Sequence, residues 1–176
     1  MSEARLDRIR SLIRNVPDFP KPGIQFKDIT PLLADPEGFT TTLDLLAEAY
    51  AGKRVDTIVG IESRGFIFGA ALAARMSASF VPARKPGKLP AETVRQSYEL
   101  EYGTDAVEIH ADALDRGERV VIVDDLIATG GTARATGDLV VRQGAEVVGY
   151  AFVIELGFLE GVRKLAPHPV VSLLEY

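Results

Sequence analysis

Two acids stand side by side in "VVIVDDLIATGGT", Val120 to Thr132. Four apolar residues lead straight into Asp124 and Asp125, and a few positions later come Ala128, Thr129, Gly130, Gly131 and Thr132. The apolar run reads as a buried strand and the small residues as a turn into a helix. In an open parallel sheet, ligands bind beyond the carboxyl ends of the strands, where these acids would emerge. Small residues let backbone N–H groups come close to an anion, and a helix N-terminus favours one. Thr129 and Thr132 add hydroxyl donors. The loop therefore suits a phosphate. The carboxylates would repel a phosphate, but they suit a hydrogen-bond donor attached to it, such as the vicinal hydroxyls of a ribose. The stretch reads as a cradle for a ribose phosphate, set against the plainer reading of a solvated acidic turn. No Gly-Lys-Ser/Thr follows, which excludes a Walker-type loop, and the dinucleotide fingerprint G-x-G-x-x-G is absent.

These residues need a scaffold, and the flanking pattern predicts one. "VDTIVGI", "SFVPA", "VVIVD", "AEVVGYAFVIEL" and "PVVSLLEY" read as strands. "GFIFGAALAARM", "GTARATGDLVVRQ" and the short "LEGVRKL" read as helices between them. Such alternation implies crossover units and a mainly parallel sheet flanked by helices. Ahead of it, Leu6, Ile9, Ile13 and Val16 fall at helical spacing, which predicts a helix over the first 16 residues. The Pro-rich "PDFPKPGIQFKD" reads as a loop. "DPEGFTTTLDLLAEAY" reads as a second helix with Asp35 as N-cap and Phe39, Leu43, Leu46 and Tyr50 on one face. Between Pro86 and Asp112 apolar and polar residues alternate, as in a hairpin or a mobile flap.

Composition narrows the class. The 176 residues suit one domain, here 1–176, with ordinary proportions of hydrophobic (47%) and charged (26%) residues. A net charge of −5 disfavours nucleic acid, which calls for a basic face. No apolar run reaches the roughly 20 residues of a membrane span. The N-terminus lacks the basic-then-apolar order of a signal peptide, and there is no cysteine, so the expectation is a cytoplasmic protein without disulfides or Cys-ligated metal. His110 and His168 stand alone, without acidic neighbours at ligand spacing, and read as structural or exposed.

"VVIVDDLIATGGT" resembles the phosphoribosyl-diphosphate (PRPP) motif of the type I phosphoribosyltransferases. "PDFPKPGIQFKDITPLL", "GIESRGFIFG", "RKPGKLP", "SYELEYG" and "KLAPHPVVSLLEY" resemble, in the same order, the adenine-specific members of that family, so the likeness spans nearly the whole chain. The resemblance implies the type I phosphoribosyltransferase fold, with a base-binding hood over about residues 1–35 and a flexible flap over about 86–112. It implies transfer of the phosphoribosyl group of PRPP to adenine, giving AMP and pyrophosphate, with Mg²⁺ held mainly through PRPP, and a homodimer. "ESRG" is then the pyrophosphate loop, with Ser63 and Arg64 on the ligand and a cis peptide at Glu62-Ser63. Arg84, Lys85 and Lys88 approach the pyrophosphate, partly across the dimer interface. Gln25 reads the purine edge through its backbone, Phe26 stacks on the ring and Leu156 covers the other face. These family members usually carry Arg where this chain has Lys27, which keeps the charge and loses the bidentate fork.

The purine N9 loses a proton as it joins the ribose, or regains one in reverse, which calls for a general acid/base near the ring. Glu101, beside Tyr102 in the flap, is the candidate; Glu99, two positions earlier, is the exposed alternative. Two other readings compete. Enzymes for 6-oxopurines carry Asp where this chain has Ala128, which argues against hypoxanthine and guanine. A PRPP-sensing regulator without catalysis would bring an added nucleic-acid-binding module or a basic face.

Overall fold

A computed structural model describes residues 2–99 and 103–176. Its centre is a five-stranded parallel sheet in the order β4-β3-β7-β8-β9. The strands are β3 (Thr57–Ile61), β4 (Ser79–Ala83), β7 (Arg119–Ile127), β8 (Glu146–Glu155) and β9 (Val170–Glu175). Helix α4 (Gly65–Met76) joins β3 to β4, and α5 (Gly131–Arg142) joins β7 to β8. The parallel sheet, its crossovers and these two helices stand where the alternation of residue types put them.

Side chains leave a strand alternately to its two faces, and here each face meets its own core. Ile58, Val121, Val123, Ala151 and Val153 pack with Leu45 and Leu46 of α3 (Pro36–Ala49) and Phe68 and Leu72 of α4. Val59, Ile61, Val120, Ile122, Tyr150 and Phe152 pack with Leu139 and Val140 of α5. Both faces are dry, so the central strands are runs of apolar residues rather than alternations. Helix α3 begins as expected: the Asp35 carboxylate accepts the Gly38 N–H at 2.7 Å.

The N-terminal segment differs from expectation. Helix α1 covers only Glu3–Ser11, and Arg14–Pro17 (β1) pairs antiparallel with Gln25–Asp28 (β2). Pro17 disfavours helical geometry at Val16, so the helix cannot run to that residue, and the spacing of Val16 was coincidental. The segment read as a loop thus contains a strand, and a short helix, α2 (Thr30–Ala34), follows it. "LEGVRKL" is not one helix but lies in two 3₁₀ turns, Gly157–Leu159 and Gly161–Leu165, divided by Glu160 in the left-handed region at φ 52°. Residues 86–112 contain an antiparallel hairpin, β5 (Thr93–Glu99) with β6 (Thr104–His110). Inward residues Val107 and Ile109 of β6 join the α5-side core.

Candidate active site

Strand β7 runs further than expected, through Asp124 and Asp125 to Ile127, still paired with β8. Its other neighbour stops earlier, the last pair being Gly60 with Val123. The two acids therefore stand just past the end of β3. The turn itself is only Ala128–Gly130, with Gly130 at φ 76° opening α5. Asp124, Ala128, Thr129, Gly130, Gly131 and Thr132 line one small cavity of about 120 Å³. Thr129 is exposed and Gly130 buried.

The acids are costly where they lie. Asp125 is 4% exposed. Burial pushes the Asp124 carboxyl well above the usual carboxylate range, and the charge of Asp125 pushes it further. Burial raises Asp125 too, while Arg64 pulls it back. Arg64 Nη2 lies 2.9 Å from Asp125 Oδ2, but its N–H is not aimed along that line, and Oδ2 has no hydrogen-bond partner among the described residues. A buried carboxylate oxygen with a free lone pair is what a ribose hydroxyl or a cation-bound water needs. Asp124 Oδ1 accepts the Asp125 N–H at 2.8 Å, which fixes its rotamer. Helix α4 starts so close that a Cβ at Gly65 would stand 2.8 Å from Asp124 Oδ1.

Arg64 joins two parts of the site. Its guanidinium lies 5.1 Å from the centre of the Phe26 ring, a cation–π distance. Phe26 also meets Phe19 edge-on at 5.1 Å. Gln25 and Leu156 line a largely apolar cavity of about 520 Å³ together with Phe158, Leu159 and Tyr176. Phe26, one residue along β2, is absent from that lining and turns to Arg64 instead. The Lys27 ammonium sits 3.5 Å over the Tyr176 ring and donates to Asn15 at 2.7 Å, and burial lowers its pKa.

The peptide Glu62-Ser63 is cis, and Ser63 is exposed. Glu62, which the sequence reading left without a task, organises the basic loop. Its carboxylate accepts the Lys85 backbone N–H at 2.9 Å and Arg84 Nε at 3.3 Å. The other end of that loop is held by buried Glu108, whose carboxylate accepts the Gly87 N–H at 3.1 Å, while Arg84 and Glu108 exchange both backbone hydrogen bonds at 2.8 Å. Arg84 Nη1 donates to the Lys88 carbonyl at 3.0 Å. Lys88 is exposed, and Lys85 reaches Tyr98 and Asp105 of the hairpin. Glu101 and Tyr102 lie outside the described residues. His110 is partly buried with Nε2 unpartnered, and His168 meets Tyr150 edge-on at 6.1 Å, so neither reaches the acids' cavity.

Behind the loop lies a support that no motif announced. A Cβ on Gly161 would overlap the Ala128 carbonyl, and one on Gly130 would overlap the Gly161 carbonyl. Backbone is thus pressed on backbone, and the first 3₁₀ residue after Glu160 braces the turn from Ala128 to Gly130. Gly161→Ala is expected to push that turn outward and raise the KM for PRPP by about five- to a hundredfold, since an overpacked site costs about 1–3 kcal/mol. Steady-state kinetics beside a melting curve check it; an unchanged KM would mean that the brace is dispensable. The acids give a second expectation. A carboxyl whose folded pKa is raised favours the folded state at low pH and opposes it as pH climbs through the folded value. Asp124→Asn should therefore melt higher than the parent at neutral pH without ligand, with the gain vanishing below the ordinary carboxylate range. The same variant should lose about ten- to a hundredfold in kcat/KM for PRPP, one charged hydrogen bond's worth. Melting curves across pH that show no crossover toward equality in acid would contradict the first half.

Residues 32–166 match the family model described as phosphoribosyl transferase domain. The chain is 58% identical to an adenine phosphoribosyltransferase of Sorangium cellulosum (strain So ce56), covering 99% of this chain and 90% of the relative. It is 60% identical to that of Solibacter usitatus (strain Ellin6076), covering 96% and 97%. The crystal structure of adenine phosphoribosyltransferase from Rhodothermus marinus DSM 4252 superposes with a TM-score of 0.96 at 53% identity, covering 99% of this chain and 100% of that one. The enzyme from Saccharomyces cerevisiae, solved with an imino-altritol bisphosphate and adenine, gives 0.93 at 43% identity, covering 98% and 100%. A buried acid pair before a Gly-rich turn, on this sheet and with these relatives, places the chain in the phosphoribosyltransferase family, among the adenine phosphoribosyltransferases.

Proposed function

We infer that the protein joins adenine to the phosphoribosyl group of PRPP, releasing pyrophosphate and giving AMP, and so salvages the free base. The observation that carries the reading is the adjacent Asp124–Asp125 pair, with Asp124 lining a small cavity together with the Gly-rich turn from Ala128 to Thr132. The acids accept from the ribose hydroxyls, and the loop holds the terminal phosphate. As the glycosidic bond forms, positive charge gathers at the anomeric carbon, and the two carboxylates lie where they stabilise it. Arg64, with Ser63, receives the leaving pyrophosphate from one side. Lys85 and Lys88 receive it from the other, on the loop that Glu62 and Glu108 hold. Gln25 and Leu156 flank the purine, with Phe26 near the ring.

The donor set also fits Mg²⁺. Asp124 and Asp125 are too few for a protein cage, and the unpartnered Asp125 Oδ2 suits a metal-bound water rather than direct capture. When bound, Mg²⁺ would supply charge neutralisation for the leaving pyrophosphate, with Asp124 and Asp125 near enough to orient its water. Glu101 in the flap exchanges the purine proton, with Tyr102 beside it. A homodimer is in keeping with Ile67, an apolar side chain exposed on α4. The enzyme works in the cytoplasm.

Purified protein with adenine, PRPP and Mg²⁺ should release pyrophosphate and form AMP, with little product from hypoxanthine, because Ala128 lacks the carboxylate that 6-oxopurines use. Faster turnover of hypoxanthine, or ligand binding without pyrophosphate release, would sink the assignment. Glu101→Gln should lower kcat by about 10²–10⁴ and Glu99→Gln should do little. Equal mild effects would take Glu101 off the catalytic list.

A further inference from the structure

Tyr98 and Asp105 face each other as a register pair of β5 and β6, at the end of the hairpin that leads to the flap tip. Both side chains reach out of the hairpin to groups assigned above to PRPP. The Lys85 ammonium donates to the Tyr98 phenol oxygen at 2.9 Å and forms an ion pair with Asp105. The Thr132 hydroxyl, in the first turn of α5, donates to the same phenol oxygen at 2.9 Å. The phenol in turn donates to Asp105 Oδ2 at 3.1 Å. A phenol has one proton to give and two lone pairs. The Tyr98 hydroxyl is therefore fully committed, and the four side chains form one circuit.

The ends of that circuit are informative. Lys85 is assigned to the pyrophosphate and Thr132 to the ribose phosphate, and the shared phenol oxygen brings these two donors together. Both are donors suited to an anionic oxygen, and the anionic oxygen they share here, one directly and one through the phenol, is the protein's own. The contact is electrostatically coherent: Lys85 is raised, its hydrogen bonds to Asp105 and Tyr98 overcoming burial, and Asp105 is lowered chiefly by its hydrogen bond to Lys85.

We propose that Tyr98 and Asp105 are positioning residues that hold Lys85 and Thr132 aligned but occupied, the Asp105 carboxylate standing in for a substrate phosphate oxygen until substrate displaces it. The inference rests on the reading of Lys85 and Thr132 as phosphate-binding groups. A ligand that must first release its binding groups has its apparent affinity reduced by the fraction of protein in which they are free. In return, both donors are already ordered when substrate arrives, which lowers the cost of aligning them for reaction. Removing the stand-in therefore has two opposite effects, tighter binding and slower turnover. A residue that only supports the fold gives weaker binding and a lower melting temperature together.

The test is calorimetric titration of pyrophosphate with Mg²⁺ into the full-length protein, its Asp105→Asn variant and its Tyr98→Phe variant, with kcat measured in parallel. Asp105→Asn should bind pyrophosphate about tenfold more tightly, by removal of the occupied fraction, and turn over more slowly. Tyr98→Phe, which frees Thr132 and leaves the Lys85–Asp105 pair, should shift both quantities the same way by less. If Asp105→Asn unfolds early, the Tyr98→Phe result decides. Unchanged or weaker binding in the folded variants overturns the proposal while the parent still converts adenine. A parent without that conversion removes the functional reading and the proposal with it.

Discussion

Two carboxylates forced together at the end of a buried strand set the terms for everything around them. Asp124 and Asp125 are pushed toward the neutral acid by burial, and each must be ionised to serve a ribose. The fold answers with Arg64 beside them, with the N-terminus of α4 packed directly on Asp124 through Gly65, and with a turn stripped of side chains. Arg64 offsets only part of the cost of burying the acids, and the remainder raises the worth of a ligand that supplies hydroxyl donors. A ligand that binds only the folded form would offset that cost by mass action.

The segments assigned to binding lie far apart in the chain, yet few of them stand alone. Glu62 ties the pyrophosphate loop to the basic loop through the Lys85 N–H and Arg84. Glu108 ties the basic loop to the flap strand. Tyr98 ties the flap to α5. Arg64 brings the hood within reach through Phe26. Glu62, Glu108 and Tyr98 need not touch substrate to do this. Their work is to turn these segments into one surface, which is what effective catalysis by positioning requires.

How much of this could be read beforehand follows from where the information lies. The strands of the central sheet were legible because a strand buried on both faces is an unbroken apolar run, and the crossovers because helices begin at Gly65 and Gly131 immediately after such runs. The acid pair and the small-residue turn were legible because chemistry there depends on residue type at fixed spacing. The β1–β2 hairpin was not, since its strands are short, polar and Pro-rich, and only pairing with each other makes them strands. Glu62, Glu108, Tyr98 and Asp105 were not, because a carboxylate or phenol becomes a tie only when folding brings a distant N–H to it. Gly161 was least legible of all. One glycine in "LEGVRKL" reads as punctuation, and nothing local tells of the carbonyl pressed against it.

That contact also bears on when the enzyme becomes complete. Chains are made from the N-terminus at about 5–20 residues per second, and folding follows emergence. A chain released as far as β8 already contains the acids, Arg64, the basic loop and the whole Gly-rich turn. It lacks Gly161, and with it the backbone that holds the turn from Ala128 to Gly130 in place. The binding motif is therefore written long before it is finished. A nascent chain carries a pair of destabilising acids with no competent phosphate loop, and so no ligand to offset them. Completion of the site waits on a segment that leaves the ribosome after β8.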